Sequence, residues 1–149
     1  SSELAAFMRT QGVPRTMQVA PSYGDVVAEV RQFLADRVRA CLAAGIGRTR
    51  VCVDPGIGFG KRPEHNLALL AAIDQLADPD LPVLIGVSRK SLIGIITGRP
   101  PEGRLAGSVA FAALAAMGGA AIVRAHDVAE ASDAVKVASA LKRAASGGR

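Results

Sequence analysis

Val51-Cys-Val-Asp-Pro-Gly-Ile-Gly-Phe-Gly-Lys61 decides how this chain is read. An apolar, β-branched run stops at an acid, and a proline and three alternating glycines follow. That pattern is a buried strand carrying a carboxylate to the rim of a sheet, then a loop whose backbone can approach a ligand closely. Two later segments repeat the design. Val83-Leu-Ile-Gly-Val-Ser-Arg-Lys90 ends a strand in a hydroxyl and two cations, and Ala121-Ile-Val-Arg-Ala-His-Asp127 ends one in a cation, an imidazole and an acid. Polar strand ends of three kinds point to one assembled site.

The chain has 149 residues, half of them hydrophobic, which suits a single folded domain spanning 1–149. Aromatics are only 3%, so the apolar bulk is Ala, Val, Leu and Ile, as in Ala-rich helices packed on a Val/Ile sheet. The net charge of +5 suits small anionic substrates such as phosphate esters. The cations are scattered and lack interleaved aromatics, which argues against nucleic acid. No stretch approaches the ~20 apolar residues of a membrane span, and the first residues lack the build of a secretory signal. Cys41 and Cys52 read as buried hydrophobes in a reducing compartment. A soluble, cytoplasmic protein is expected.

Helices are expected at about Tyr23–Ala44, Glu64–Ala77, Ser91–Thr97, Leu105–Met117 and from Asp127 to about Ala144. Strands are expected at Arg50–Val53, Val83–Val87 and Ala121–Arg124, with a possible stub at Leu4–Met8 before a loop holding Gly12, Pro14 and Pro21. Leu67, Leu70, Ile73 and Leu76 should face inward, Gly45 should stop the first helix, and Asp127 with Glu130 has capping-box spacing. The tail from Ser146 should fray. Alternating strands and helices mean βαβ units on a parallel sheet, with polar groups at the strands' C-terminal ends. Asp54, Lys90 and Arg124 recur at intervals of about 35 residues, close to the ~30 residues per unit of a (β/α)8 barrel. A complete barrel takes ~250 residues, so three units and part of a fourth make about half of one.

Each strand end has its own chemistry. Asp54 can recognise a pair of N–H groups, act as a base, bind a metal or cap a helix. The glycines form neither GxGxxG nor a phosphate loop ending in GK[ST]. Phe59 can be a lid on a flat ligand or ordinary packing, and Lys61 reads as a solvated loop cation. Ser88 with Lys90 lacks the order and partner base of a covalent serine site, so Lys90 reads as a fixed cation and donor. Arg89 can pair with an acid within the fold. Arg124 and His126 alternate, so both point to one side and can clamp an anion. His65 reads as a cap or surface residue. With two histidines in all, a multi-histidine metal site is excluded.

Asp-Pro-Gly-Ile-Gly-Phe-Gly-Lys (54–61), Gly-Val-Ser-Arg-Lys-Ser-Leu-Ile-Gly (86–94) and Arg-Ala-His-Asp-Val (124–128) resemble the three C-terminal motifs of the dihydropteroate synthase family, in the same order. Met8 to Met17-Gln18 resembles that family's Met-His-Met-x-Gly-x-Pro-x-Thr-Met-Gln segment, and Arg104-Leu-Ala-Gly-Ser108 fits as well. Arg9 and Thr10 stand where the family has His and the second Met. The resemblance implies the C-terminal half, about strands 5 or 6 to 8, of a pterin-binding (β/α)8 TIM barrel. The family joins 6-hydroxymethyl-7,8-dihydropterin diphosphate to p-aminobenzoate, giving 7,8-dihydropteroate and diphosphate with Mg2+ on the diphosphate, and is the target of sulfonamides.

By this resemblance Asp54 holds the pterin's amino and ring N–H edge, and Lys90 its oxygen and nitrogen edge. Arg124 stacks on the pterin and touches phosphate, and His126 completes the diphosphate site. Ser88 and Phe59 border p-aminobenzoate, and Met8 packs near the pterin. Lys90, Arg124 and His126 are the implied catalytic residues. The family's Mg2+ ligand falls in its first four βα units, outside this sequence, so no metal ligand is expected here. A homodimer packed through the last helices is also implied, as is negligible turnover by this chain alone. The rival expectations are a non-catalytic pterin- or phosphate-binding half barrel that self-associates, and a methyltetrahydrofolate transferase type of pterin barrel.

Overall fold

The computed structural model describes residues 5–8, as backbone, and 24–147. The side chain of Met8, together with Arg9, Thr10, the Gly12–Pro21 loop, Tyr23 and residues 148–149, lies outside the described residues. The order is β1 (Ala5–Met8), α1 (Val26–Ala43), β2 (Val51–Asp54), α2 (Pro63–Ala71), β3 (Leu84–Ile85), α3 (Ser91–Thr97), α4 (Leu105–Met117), β4 (Ile122–Val123) and α5 (Val128–Gly147). Short 3-10 turns sit at Arg48–Arg50, Ile73–Gln75 and Pro101–Gly103.

β1 pairs with β2 in parallel, and β3 pairs with β4 in parallel. A parallel bridge between Val53 and Val83 joins the two pairs, giving the order 1-2-3-4. A helical crossover after each strand is what a parallel sheet requires. β2 is buried at every position, with Val51, Cys52 and Val53 wholly out of solvent, because both of its faces are covered. The core joins Val30, Leu34 and Val38 of α1 to Leu69, Ile73 and Leu76, to β2 and β3, and to Leu92 and Ile93 of α3.

The expected elements are present, with shifted edges. α1 starts at Val26 because the Asp25 carboxylate caps it, accepting from the amides of Val27 at 3.1 Å and Ala28 at 3.0 Å. Gly45, at φ 84°, ends it. The helix expected to run to Ala77 stops at Ala71 and continues as a 3-10 turn. Its inward stripe is Asn66, Leu69, Ile73 and Leu76, and Leu67 is 42% exposed. The reason is Asn66, whose amide is bonded on the inside and claims the slot that a purely apolar reading gives to Leu67. The Asp127 capping box does not form, since that carboxylate pairs with Arg89. Cys41 and Cys52 are buried free thiols. No helix among the described residues is long and apolar enough to cross a membrane.

α3 and α4 pack through glycine. A Cβ on Gly107 would overlap Ile93 Cγ2. Gly107→Ala gains about 1 kcal/mol of helix propensity against about 1–3 kcal/mol of overpacking. A net loss of about 1 kcal/mol is expected, read as a lower urea midpoint at unchanged slope.

Candidate functional site

The C-terminal ends of β2, β3 and β4 meet around one cleft of about 450 Å3, lined by Phe59, Gly86, Ser88, Lys90, Arg124, Ala125 and His126. The glycine loop after β2 forms one wall. Gly56, Gly58 and Gly60 have φ of 69°, 80° and 59°, values that side-chain-bearing residues adopt with strain. Asp54 is 6% exposed and its Oδ1 accepts the Gly56 N–H at 2.8 Å, so the acid folds the loop that follows it. Asn66 fastens the loop from α2, its Oδ1 accepting from the Gly58 N–H at 2.8 Å and its Nδ2 donating to the Arg62 carbonyl at 3.1 Å. Lys61, read from sequence as solvated, is 5% exposed. Its ammonium donates to the carbonyls of Gly56 at 2.9 Å and Phe59 at 3.0 Å. Two loop carbonyls turned inward need donors, and a buried lysine supplies them.

Lys90 rises from the end of β3 onto this loop. Its ammonium donates to the Ile57 carbonyl and lies 4.4 Å from the centre of the Phe59 ring. Burial pushes the Lys90 ammonium from 10.5 down to about 8, Asp54 opposes that shift and Arg124 adds to it. A cation held close to its titration point and only partly satisfied by protein is suited to an anionic or carbonyl-bearing ligand.

Ser88 and His126 join β3 to β4. The Ser88 Oγ lies 3.0 Å from His126 Nδ1 and accepts the His126 N–H at 3.2 Å. Arg124 crosses Gly86, where a Cβ would stand 3.0 Å from both Nε and Nη2, so a side chain there would push the guanidinium off the strand by a few tenths of an ångström. Arg89 leaves the cleft and pairs with Asp127, as the sequence allows. His65 has the capping role, its Nδ1 accepting from the Arg62 N–H at 3.2 Å.

Phe59, Ser88, Lys90, Arg124 and His126 are thus brought together. Asp54 does not line that cleft; it lies buried beside it and acts on Lys90 through its charge. Met8 enters only through its backbone, paired in register with Asp54. Asn66 was missed from sequence, and Gly86, Arg104 and Ser108 stood within motifs without a role assigned to them. Gly86 had a local signal, a glycine inside a strand, which marks close approach by another group. Among the described residues no group of three or more His, Cys, Asp or Glu is placed to hold a metal.

Parallel strands with helical crossovers and polar groups gathered at the strands' C-terminal ends define part of a (β/α)8-barrel enzyme. A family model described as pterin binding enzyme matches residues 4–126. The chain is 47% identical over 133 residues to the dihydropteroate synthase of Escherichia coli strain K12, covering 89% of this chain and 47% of that protein. It is 49% identical over 138 residues to that of Neisseria meningitidis serogroup B, covering 90% and 48%. The crystal structure of Yersinia pestis dihydropteroate synthase with a sulfonamide drug complex superposes with a TM-score of 0.90 at 40% identity, covering 96% of this chain and 52% of that one. That of Burkholderia cenocepacia dihydropteroate synthase complexed with 7,8-dihydropteroate gives 0.86 at 51% identity, covering 97% and 54%. This chain belongs to the pterin-binding enzymes. It spans about half the length of the curated relatives it matches.

Proposed function

We propose that this chain is the C-terminal half of a dihydropteroate synthase barrel, supplying the wall that binds 6-hydroxymethyl-7,8-dihydropterin diphosphate and one side of p-aminobenzoate. The observation that carries this is the convergence of Lys90, Arg124 and His126 on one cleft beside a buried acid, Asp54. The Burkholderia cenocepacia relative, crystallised with 7,8-dihydropteroate, supports it. In this reading Asp54 accepts from the pterin's amino and ring N–H groups, and Lys90 donates to its oxygen and nitrogen edge. Arg124 lies along the pterin ring and reaches phosphate, His126 completes the diphosphate site, and Ser88 and Phe59 border p-aminobenzoate.

The amine of p-aminobenzoate attacks the pterin's CH2, the carbon–oxygen bond to diphosphate breaks, and the amine loses a proton. The barrier is charge developing on the leaving diphosphate, which fixed cations stabilise without a protein nucleophile. The same cations disfavour a methyl-transfer barrel, whose donor carries no diphosphate. Magnesium takes oxygen ligands. The described cleft offers an ammonium, a guanidinium, an imidazole and a hydroxyl, and the Asp54 Oδ1 is engaged by Gly56. These residues do not fit Mg2+, so in this reading the ion on the diphosphate is held from outside this chain.

Buried free thiols suit a reducing cytoplasm. Exposed Leu114, Val137 and Leu141 on α4 and α5 suit a homodimer through those helices. Sulfonamides, seen with the Yersinia pestis relative, would fall on the p-aminobenzoate side.

The test uses a completed barrel, made by joining this chain to the half of the Escherichia coli synthase that it does not match. Its affinity for pterin diphosphate is expected to fall by up to about tenfold per pH unit above pH 8, as Lys90 loses its proton. A profile flat to pH 10 by isothermal titration would remove Lys90 from the site. Stability has the opposite sign. Lys90 binds its proton more weakly folded, at about 8, than unfolded, near 10.5. The unfolded chain therefore holds more protons across that window, and stability contributed by Lys90 rises with pH through it.

A further inference from the structure

Among the described residues Arg89 is the one non-glycine with a positive φ, 58°. That conformation costs a side-chain-bearing residue about 1–2 kcal/mol, and it persists where the surroundings over-determine it. Three contacts do so. The Arg89 N–H donates to Ser108 Oγ at 2.9 Å, its carbonyl accepts from Arg104 Nη1 at 3.0 Å, and its Nε donates to Asp127 Oδ2 at 3.1 Å. Ser108 is 7% exposed, and its hydroxyl donates in turn to the Arg104 carbonyl at 2.8 Å. Arg104 reaches the turn across Gly94, where a Cβ would overlap the guanidinium. On one side of Arg89, Ser88 meets His126, and on the other Lys90 lies over Phe59 and the Ile57 carbonyl.

We infer that Arg104 and Ser108 on α4 are positioning residues for this site: they hold the left-handed turn at Arg89 and so set Lys90 over Phe59 and Ser88 against His126. The inference deepens the proposed function and rests on it only for the identity of the ligand. α4 contributes no lining group for bound anion, yet it fixes two groups that do line the cleft. Extended backbone at residue 89 would carry Lys90 onward along the strand, away from the glycine loop.

The test reads Lys90 itself, by NMR titration of the 149-residue chain with 13C-labelled lysine, in which Lys90 is one of four. Asp54 and Arg124 are the charges that act on it. The wild type is expected to titrate near 8, and Arg104→Gln and Ser108→Ala to move the midpoint toward 10.5 as Lys90 comes off the loop. Ser108→Thr, which keeps the hydroxyl, should restore it. Arg89→Gly should leave it near 8, because glycine accepts positive φ, whereas Arg89→Val should move it. If Ser108→Ala does not fold, Arg104→Gln and the Arg89 pair still decide. A wild-type midpoint at 10.5, or folded Arg104→Gln and Arg89→Val chains with wild-type midpoints, would overturn the inference. In the completed barrel, diphosphate affinity should fall about tenfold in Arg104→Gln. The NMR midpoint needs no ligand, so failure of that barrel to bind diphosphate would count against the proposed function alone.

Discussion

Lys90→Met is expected to weaken pterin diphosphate binding by the completed barrel more than about 100-fold while leaving the thermal midpoint unchanged or higher. Hydrogen bonds to a charged group are worth about 1.5–3 kcal/mol each, so losing one or two costs roughly 10- to 10,000-fold in affinity. The stability side runs the other way. Burial already pulls the Lys90 ammonium down to about 8, so the folded chain bears a desolvation cost for it. Methionine keeps the straight stem that packs near Gly58 and removes that cost, at the loss of the Ile57 bond and the contact with Phe59. A variant that loses binding and stability together would mean that Lys90 is a structural residue. Titration calorimetry and a melting curve on the same preparation distinguish the two.

Asp54→Asn should cost a further class of affinity, that for the pterin ring. The amide oxygen can still accept from Gly56, so the glycine loop should survive. The second carboxylate oxygen becomes an N–H donor facing, in the proposed complex, the pterin's own donors. A site built to hydrogen-bond a polar edge rejects a mismatched partner by about 10^4, because the buried groups are left unpaired. A loss of roughly 1,000-fold or more in pterin affinity is expected, with diphosphate alone binding nearly as before. Equal loss for pterin and for diphosphate would mean that the substitution disturbs the loop rather than the recognition.

The strands, their parallel order and the polar strand ends were legible because β2 and the approaches to β3 and β4 are short apolar runs with abrupt polar stops. Lys90, Arg124 and His126 could be placed at the C-terminal end of the sheet from strand position alone. What was not legible depends on partners distant in sequence. Lys61 reads as a surface cation until the carbonyls of Gly56 and Phe59 are seen turned toward it. Leu67 reads as core until Asn66 is found holding the inner position. Asp127 looks like a helix cap, yet Arg89, 38 residues earlier, takes its carboxylate. Helical periodicity records which face is apolar, and it is silent on a buried polar residue whose bonds are supplied by a loop.

The most direct measurement is turnover of pterin diphosphate and p-aminobenzoate to 7,8-dihydropteroate by the completed barrel, beside the 149-residue chain alone. The chain alone is expected to give less than about a thousandth of the joined barrel's rate, since a site lacking its opposite wall forfeits most of its positioning. The joined barrel should make dihydropteroate, and Lys90→Met or Asp54→Asn should abolish it. A folded barrel that makes none, or one whose Lys90→Met form keeps full rate, would contradict the assignment of this cleft.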